Sequence, residues 1–252
     1  MRNRTKKMLA LLLVGVMAIA MTGCGKKASD TVRWINTTYV LLTEANKGSV
    51  ELVGGFAAND TYKQVALNLL DQSWDITSRE ELDATIEQLL TEGSRAEFAT
   101  EYASVKEVCD AAGISMDGAD FQMMLDAMDA DSRAYVQLIV EKYAEKGELA
   151  IAGWDYCRVE QLYGYGYLAG FYTYEEALEQ SLEVAKTIQS MFSSWDELMQ
   201  SYIDGYQYWC EDDITNPESA SYARKQIYED LKNGNNNPFA IDWNTELVKD
   251  WE

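Results

Sequence analysis

The stretch from Trp154 to Trp209 decides the fold class. It opens with Trp154-Asp155-Tyr156-Cys157-Arg158 and continues through a tyrosine- and glycine-rich segment to Thr173-Tyr174-Glu175-Glu176. It then passes Phe192-Ser193-Ser194-Trp195 and reaches Trp209. Apolar residues recur at three- and four-residue steps throughout, which is the spacing of one face of an α-helix. The stretch therefore predicts three consecutive helices, and their short connections make neighbours antiparallel.

Two capping boxes mark the starts of the second and third helices. Thr173 with Glu176, and Ser194 with Glu197, stand in the Ser/Thr-x-x-Glu relation, in which each residue satisfies an N–H group of the first turn. The first helix is predicted to begin at Trp154. These local signals set the ends of the helices, and the ends determine which residues meet.

An up-down-up arrangement brings the start of the first helix, the end of the second and the start of the third to one end of the bundle. We predict a binding or structural cluster there, made of Trp154, Asp155, Arg158, Gln189, Ser194 and Trp195. Gly205 is expected at the opposite end. Asp155 and Arg158 are three apart on one helix and can pair. Arg158 then either locks the helix ends together or presents its guanidinium to an anionic ligand.

The same residues resemble a known bacterial family. The motifs are Trp154-Asp155-x-x-Arg158, the Gly/Tyr helix, the step from Ala185 to Gln189, Phe192-Ser193-Ser194-Trp195 and an upstream run from Ser73 to Phe98. Together they are similar to the family called domain of unknown function 1266, over roughly Leu41 to Trp251. The resemblance implies a helical domain, and the family has no established activity to carry over. Where the family often has Gly-His-Arg, this chain has Gly93-Ser94-Arg95, so a role for that histidine is absent.

The first residues have the pattern of a lipoprotein signal peptide, residues 1–23. A basic head precedes an apolar run from Met8 to Met21, which is too short to span a bilayer comfortably. The run ends in Met21-Thr22-Gly23-Cys24, which resembles a lipobox. We expect cleavage before Cys24, diacylglycerol and palmitate on that cysteine, and a polar tether over residues 24–31. The chain would then be anchored to the outer face of the cell membrane, or to the outer membrane if the source is diderm.

Composition narrows the possible chemistry. The chain has 21 basic and 42 acidic residues, and removal of the four basic residues of the signal leaves 17 basic residues and a net charge of −25. Such a charge repels nucleic acid. The chain has no histidine, which excludes Ser-His-Asp and Cys-His catalysis and the usual zinc sites. We therefore expect no nucleic-acid partner, no metal and no cofactor.

Three cysteines remain after lipidation of Cys24, namely Cys109, Cys157 and Cys210. An odd number does not indicate a disulfide scaffold, so we expect free thiols. Cys157 and Cys210 should lie at opposite ends of the bundle.

We predict an all-α fold, a single globular multi-helix domain over residues 32–252, behind the cleaved signal peptide. It should contain about eight to ten helices. Asn216-Pro217 is expected to start a late helix, and the aromatic tail from Phe239 to Trp251 should pack back on the domain.

Three functions fit these observations. The first is a membrane-anchored, non-catalytic interaction or binding module with a protein or envelope partner. The second is a carboxylate-dependent enzyme such as a cell-envelope glycan hydrolase, with Asp155 and Glu160 as candidates. The third is a helical carrier with an apolar cavity. A shallow aromatic surface would favour the first, a deep pocket with two raised-pKa carboxyl groups the second, and a large apolar cavity the third.

Overall fold

The structure is a computed structural model, and it describes residues 28–251. Of these residues 73% are helical, and none is in a strand. The predicted all-α class is therefore confirmed, while the signal peptide lies outside the described residues. Between residues 28 and 251 no helix is both long and apolar enough to cross a bilayer.

Eleven α-helices occupy the described part of the chain. They are α1 (Asp30–Thr38), α2 (Val40–Ala45), α3 (Asp60–Trp74), α4 (Arg79–Thr91), α5 (Gly93–Ala112), α6 (Ala119–Asp126), α7 (Ala130–Lys146), α8 (Leu149–Ala169), α9 (Tyr174–Met191), α10 (Trp195–Cys210) and α11 (Ala220–Asn233). Short 3₁₀ helices span Val53–Gly55 and Pro238–Ala240. The number exceeds the prediction because short helices such as α2 lack a long periodic pattern.

The described residues fall into two compact units. Unit 1 comprises residues 28–87, 158–190 and 231–251, and unit 2 comprises residues 88–157 and 191–230. Neither unit is one continuous piece of chain. Segments of the two units alternate along the sequence. The described residues therefore form a single multi-helix domain and not two domains in tandem.

The C-terminal tail packs against the rest of unit 1. Trp243, Leu247 and Trp251 are each 7% exposed, and the indole Nε1 of Trp34 donates to the carbonyl oxygen of Trp243 at 3.1 Å. The Trp34 and Trp243 rings lie 5.2 Å apart. The prediction that the aromatic tail packs back on the domain is confirmed.

Unit 2 contains the core around Phe98 and Ile151, which have no exposed surface. Helix α8 meets α10 closely here. The hydroxyl of Ser201 accepts from the Gly153 amide at 2.9 Å and donates to the Leu149 carbonyl at 2.9 Å. This bridge fixes the contact between the two helices, because it satisfies a side chain that is only 5% exposed.

The Thr173–Glu176 capping box forms as predicted, and Ser194 caps α10 as predicted, although the Glu197 carboxylate accepts from the Ser193 amide rather than from that of Ser194. The Thr173 amide donates to Glu176 at 2.8 Å, and the Glu176 amide donates to the Thr173 hydroxyl at 3.1 Å. The Glu197 amide donates to the Ser194 hydroxyl at 3.2 Å. These starts were predictable because a capping box needs residues only three apart in sequence.

Two other predicted helix starts are wrong. Helix α8 begins at Leu149 rather than Trp154, and α11 begins at Ala220 rather than at Asn216-Pro217. The Asp212 carboxylate, near the end of α10, accepts from the Ala220 amide at 2.9 Å. The Ser219 hydroxyl, just before the helix, accepts from the Tyr222 amide at 3.1 Å and is the local cap of α11, whereas Asn216 only forms a turn with the Glu218 amide.

Candidate functional site

Asp155 lies on α8 within unit 2 and has no exposed surface. Its carboxylate accepts from the Ser94 amide at 2.9 Å and from the Arg95 amide at 3.3 Å. It also accepts from Arg95 Nη1 at 3.0 Å. The other end of the Arg95 guanidinium, Nη2, donates to the carbonyl oxygens of Leu89 and Leu90 at 3.2 and 3.0 Å. Both side chains of the buried Asp155–Arg95 ion pair therefore have several hydrogen-bond partners.

Gly93 makes room for that arrangement. It is the first residue of α5 and has φ of +59°, and a Cβ there would lie 2.2 Å from Asp155 Oδ2. The carboxylate sits where the α5 dipole and unpaired amides favour negative charge. The Gly93-Ser94-Arg95 and Trp154-Asp155 motifs, noted separately in sequence, therefore meet in one helix-anchoring contact.

Two members of the predicted cluster lie in unit 1. The guanidinium carbon of Arg158 sits 5.5 Å from the centre of the Trp74 ring. Gln189 Nε2 donates to the carbonyl oxygens of Trp243 and Thr245 at 2.7 and 3.0 Å. The inference that Gln189 needs a polar partner is confirmed, and that partner is tail backbone. The Asp155–Arg158 pair stays a prediction.

Two other members, Ser194 and Trp195, begin α10. Trp154 instead packs on later turns of that helix, with its ring 5.3 Å from Tyr206 and 6.0 Å from Trp209. Trp209 is fourteen residues, or about 21 Å of helix, beyond Trp195. These contacts place Trp154 beside the later turns of α10, and the grouping of all six residues stays a prediction.

The expected position of Gly205 is wrong. A Cβ on Gly205 would lie 2.3 Å from the Trp154 Cβ, so these two residues are neighbours. The geometry changes because α8 starts at Leu149, which places Trp154 inside the helix rather than at its end. Among the described residues, Cys109, Cys157 and Cys210 form no disulfide, as expected.

Unit 2 contains a second arginine site that the sequence analysis missed. Arg224 on α11 lies with its guanidinium carbon 4.3 Å from the centre of the Tyr206 ring. Its Nη1 donates to the hydroxyl of Tyr202. Tyr202 and Tyr206 also contact the Trp154 ring. We call Trp154, Tyr202, Tyr206, Trp209 and Arg224 the tyrosine–arginine cluster.

Arg224 is only 9% exposed. Within the described residues, no carboxylate forms an ion pair with it and Tyr202 is its one hydrogen-bond partner. A buried cation normally requires a partner. The signal that would have revealed it is the stripe Ser221, Arg224 and Tyr228, which are the buried residues of α11. Arginine on a buried stripe is the same signal that drew attention to Arg158.

Glu160, the other carboxylate considered for catalysis, lies in unit 1 with no exposed surface. Burial raises the pKa of Glu160 well above its usual range, whereas the neighbouring Ser181 hydroxyl acts to lower it. Neither carboxyl oxygen has a well-formed hydrogen bond to any residue between 28 and 251. Ser181 therefore lies near without satisfying the group. Burial raises the pKa of adjacent Tyr163 to about 12, with a smaller contribution from Glu160.

A small pocket in unit 2 has charged walls. Its volume is about 50 Å³, far below the roughly 300–1,000 Å³ of a typical ligand pocket. Lys142 pairs with Asp204 at 3.1 Å and Lys146 with Glu197 at 2.8 Å along its wall. This pocket is too small to be the cavity of an apolar carrier. In the described part of the chain no group of three acids or cysteines is arranged to hold a metal ion.

The fold and these contacts define an all-helical domain with a buried Asp–Arg anchor and an aromatic cluster around a second arginine. The chain matches the family described as "Protein of unknown function (DUF1266)" over residues 69–243, and it belongs to that family.

Two relatives come from Escherichia coli (strain K12). "Uncharacterized protein YbeR" is 27% identical over 166 residues, which cover 65% of this chain and 67% of the relative. "Uncharacterized protein YbeU" is 24% identical over 190 residues, which cover 71% and 77%. No solved structure matches significantly. The family membership confirms the resemblance noted in the sequence.

Proposed function

We propose that this protein is a membrane-anchored extracytoplasmic lipoprotein whose helical domain is a non-catalytic binding module. The basic head, the apolar run and Cys24 support the anchor. A cysteine that carries a diacylglycerol group has two acyl chains, and these hold a protein stably at a membrane surface because stable anchoring needs more than one chain. The binding partner is then another component of the cell envelope or a ligand that reaches it.

The tyrosine–arginine cluster is the observation that carries the binding role. Aromatic rings and arginine dominate binding energy at recognition sites, because they offer large contact area and directed hydrogen bonds. The cluster combines four aromatic rings with a cation that no carboxylate of the described residues neutralises. Trp209 is partly exposed, so the cluster reaches the surface of unit 2.

The enzyme alternative has one observation in its favour. A raised pKa is what a general acid requires, and the pKa of Glu160 is raised. A general acid must also touch its substrate, and Glu160 has no exposed surface. Asp155, the proposed second carboxylate, holds the N-terminus of α5 instead. The binding module is therefore the better supported function.

The proposal is tested by crosslinking the full-length lipidated protein in its own membranes and identifying the partners by mass spectrometry. Three forms are compared: the parent, Arg224→Lys and the control Arg133→Lys. Arg133 also lies in unit 2, but its side chain is 38% exposed and pairs with Asp126 at 3.7 Å. We expect a reproducible partner that is lost with Arg224→Lys and kept with Arg133→Lys. Equal partner recovery from all three forms contradicts a binding role for the cluster.

A further inference from the structure

We propose that Arg224 anchors a binding site for a carboxylate group, held by the guanidinium N–H groups that the protein leaves unpaired. The inference deepens the proposed binding function, on which it rests, because it names the ligand class of the tyrosine–arginine cluster.

The Arg224 guanidinium is held in place, but most of its N–H groups have no hydrogen-bond acceptor among the described residues. The Tyr206 ring lies against it, at 4.3 Å from ring centre to guanidinium carbon, and the Tyr202 hydroxyl accepts from Nη1. Between residues 28 and 251, Tyr202 is the one hydrogen-bond acceptor of Arg224. The unused N–H groups are not among the polar atoms that are sealed from solvent without a partner. They therefore keep some contact with solvent.

The second arginine of unit 2 shows what a completed site looks like. Arg95 is 7% exposed, close to the 9% of Arg224, and it also lies near a tyrosine, 5.0 Å from the centre of the Tyr156 ring. Arg95 nevertheless has the Asp155 carboxylate at 3.0 Å and two backbone carbonyls as acceptors. Arg224 is similarly buried and lies against a tyrosine ring, but it has no carboxylate partner among the described residues. A bound carboxylate would supply the missing partner.

The chemistry favours a carboxylate over other anions. The two oxygens of a carboxylate are coplanar and match the parallel N–H groups of a guanidinium. One negative charge balances one cation, whereas a phosphate dianion would add charge to a chain with 42 acidic and 21 basic residues.

The neighbouring rings indicate the rest of the ligand. The ring centres of Tyr206 and Trp209 lie 5.9 Å apart, and Trp209 is partly exposed. An apolar or aromatic body attached to the carboxylate would pack on these rings. A small aromatic acid and the C-terminal carboxyl of a peptide share this chemistry.

The test uses phenylglyoxal, which modifies guanidinium groups that it can reach. The full chain in detergent micelles is labelled, and the modification of each arginine is measured by peptide mass spectrometry. The competitors are benzoate, inorganic phosphate, benzyl alcohol and chloride, with ionic strength held constant. We expect benzoate to cause a saturable loss of Arg224 modification, phosphate a smaller loss, and the other two none. Arg133 is the internal control and should be modified equally throughout.

Several results would overturn the proposal. These are an Arg224 that phenylglyoxal never reaches, protection that chloride or benzyl alcohol reproduces, and protection by phosphate as strong as that by benzoate. The source of the carboxylate is distinguished with two peptides of one sequence, one with a free C-terminus and one amidated. Protection by the free peptide beyond that by benzoate assigns the site to peptide carboxyl groups, and protection by benzoate alone assigns it to small acids.

A second measurement covers the effect of the substitution. Benzoate should raise the melting temperature of the parent and of Arg133→Lys, and should leave that of Arg224→Lys unchanged, because lysine keeps the charge and loses the paired N–H groups. If Arg224→Lys does not fold, the phenylglyoxal labelling of the parent still shows whether Arg224 binds a carboxylate. A membrane partner that needs Arg224 without benzoate protection would overturn the ligand class and leave the binding function standing. Benzoate protection without such a partner would overturn the membrane partner and leave the carboxylate site standing.

Discussion

The Asp155 carboxylate accepts a hydrogen bond from Arg95 Nη1 at 3.0 Å, across 60 residues of sequence. Both side chains are buried, at 0% and 8% exposure. The same carboxylate also accepts from the Ser94 and Arg95 amides. One side chain on α8 therefore fixes both the N-terminus of α5 and the arginine that follows it.

Removing one partner of this pair should destabilise the fold. Asp155→Ala leaves the Arg95 guanidinium buried without its carboxylate, which costs about 3–5 kcal/mol in the free energy of unfolding. Urea denaturation followed by circular dichroism measures it. The control is Asp110→Ala, which breaks the exposed Lys106–Asp110 pair and should change stability much less. An Asp155→Ala protein as stable as the control would show that the pair is not an anchor.

A methyl group at Gly93 should be more harmful than one at Gly113. Both glycines have positive φ, +59° and +69°, so alanine is strained by about 1–2 kcal/mol at either position. At Gly93 the added Cβ also meets Asp155 Oδ2 at 2.2 Å, whereas at Gly113 nothing lies within 4 Å. Thermal melting of the two variants should show the larger loss for Gly93→Ala. Equal losses would mean that the carboxylate moves aside without cost.

Replacing Glu160 should change how stability depends on pH. Burial raises the pKa of Glu160 above its ordinary value of 4.5, so the folded state holds a proton that the unfolded state releases. The stability due to the protonated form is fully present below pH 4.5 and is lost as the pH rises towards the folded-state pKa. Glu160→Gln should therefore be more stable than the parent at neutral pH, with the difference shrinking towards pH 4.5.

The measurement for Glu160 is a set of urea unfolding curves across that pH range. Glu179→Gln serves as the control, because Glu179 has a half-exposed side chain on α9. Parallel pH profiles for the parent and Glu160→Gln would contradict the raised pKa.

Replacing the lipobox cysteine should release the protein from the membrane. Cys24→Ala removes the thiol that would carry the diacylglycerol. We expect loss of fatty-acid labelling and of membrane retention, measured by metabolic labelling and membrane fractionation, while Cys109→Ala keeps both. Unchanged labelling and retention with Cys24→Ala would exclude the predicted anchor.

Local signals predicted the helices well where both partners were close in sequence. The Thr173–Glu176 and Ser194–Glu197 relations marked real helix starts, because a capping box involves residues three apart. The α11 start was predicted wrongly at Asn216-Pro217. The local cap is Ser219, whose hydroxyl accepts from the Tyr222 amide at 3.1 Å, and Asp212, eight residues before Ala220, adds an acceptor for the Ala220 amide that lies outside any capping motif.

The sequence by itself determined the helical class, the absence of histidine chemistry and the burial of stripes such as the one carrying Gln189. Only the tertiary structure decided the partners, joining Asp155 to Arg95, Trp154 to the later turns of α10, and Arg224 to Tyr202 and Tyr206. The physical reason is the distance along the chain over which each interaction acts. Helical periodicity and capping depend on neighbours within one or two turns, whereas the contacts between helices depend on where each helix starts, and α8 starts five residues before Trp154.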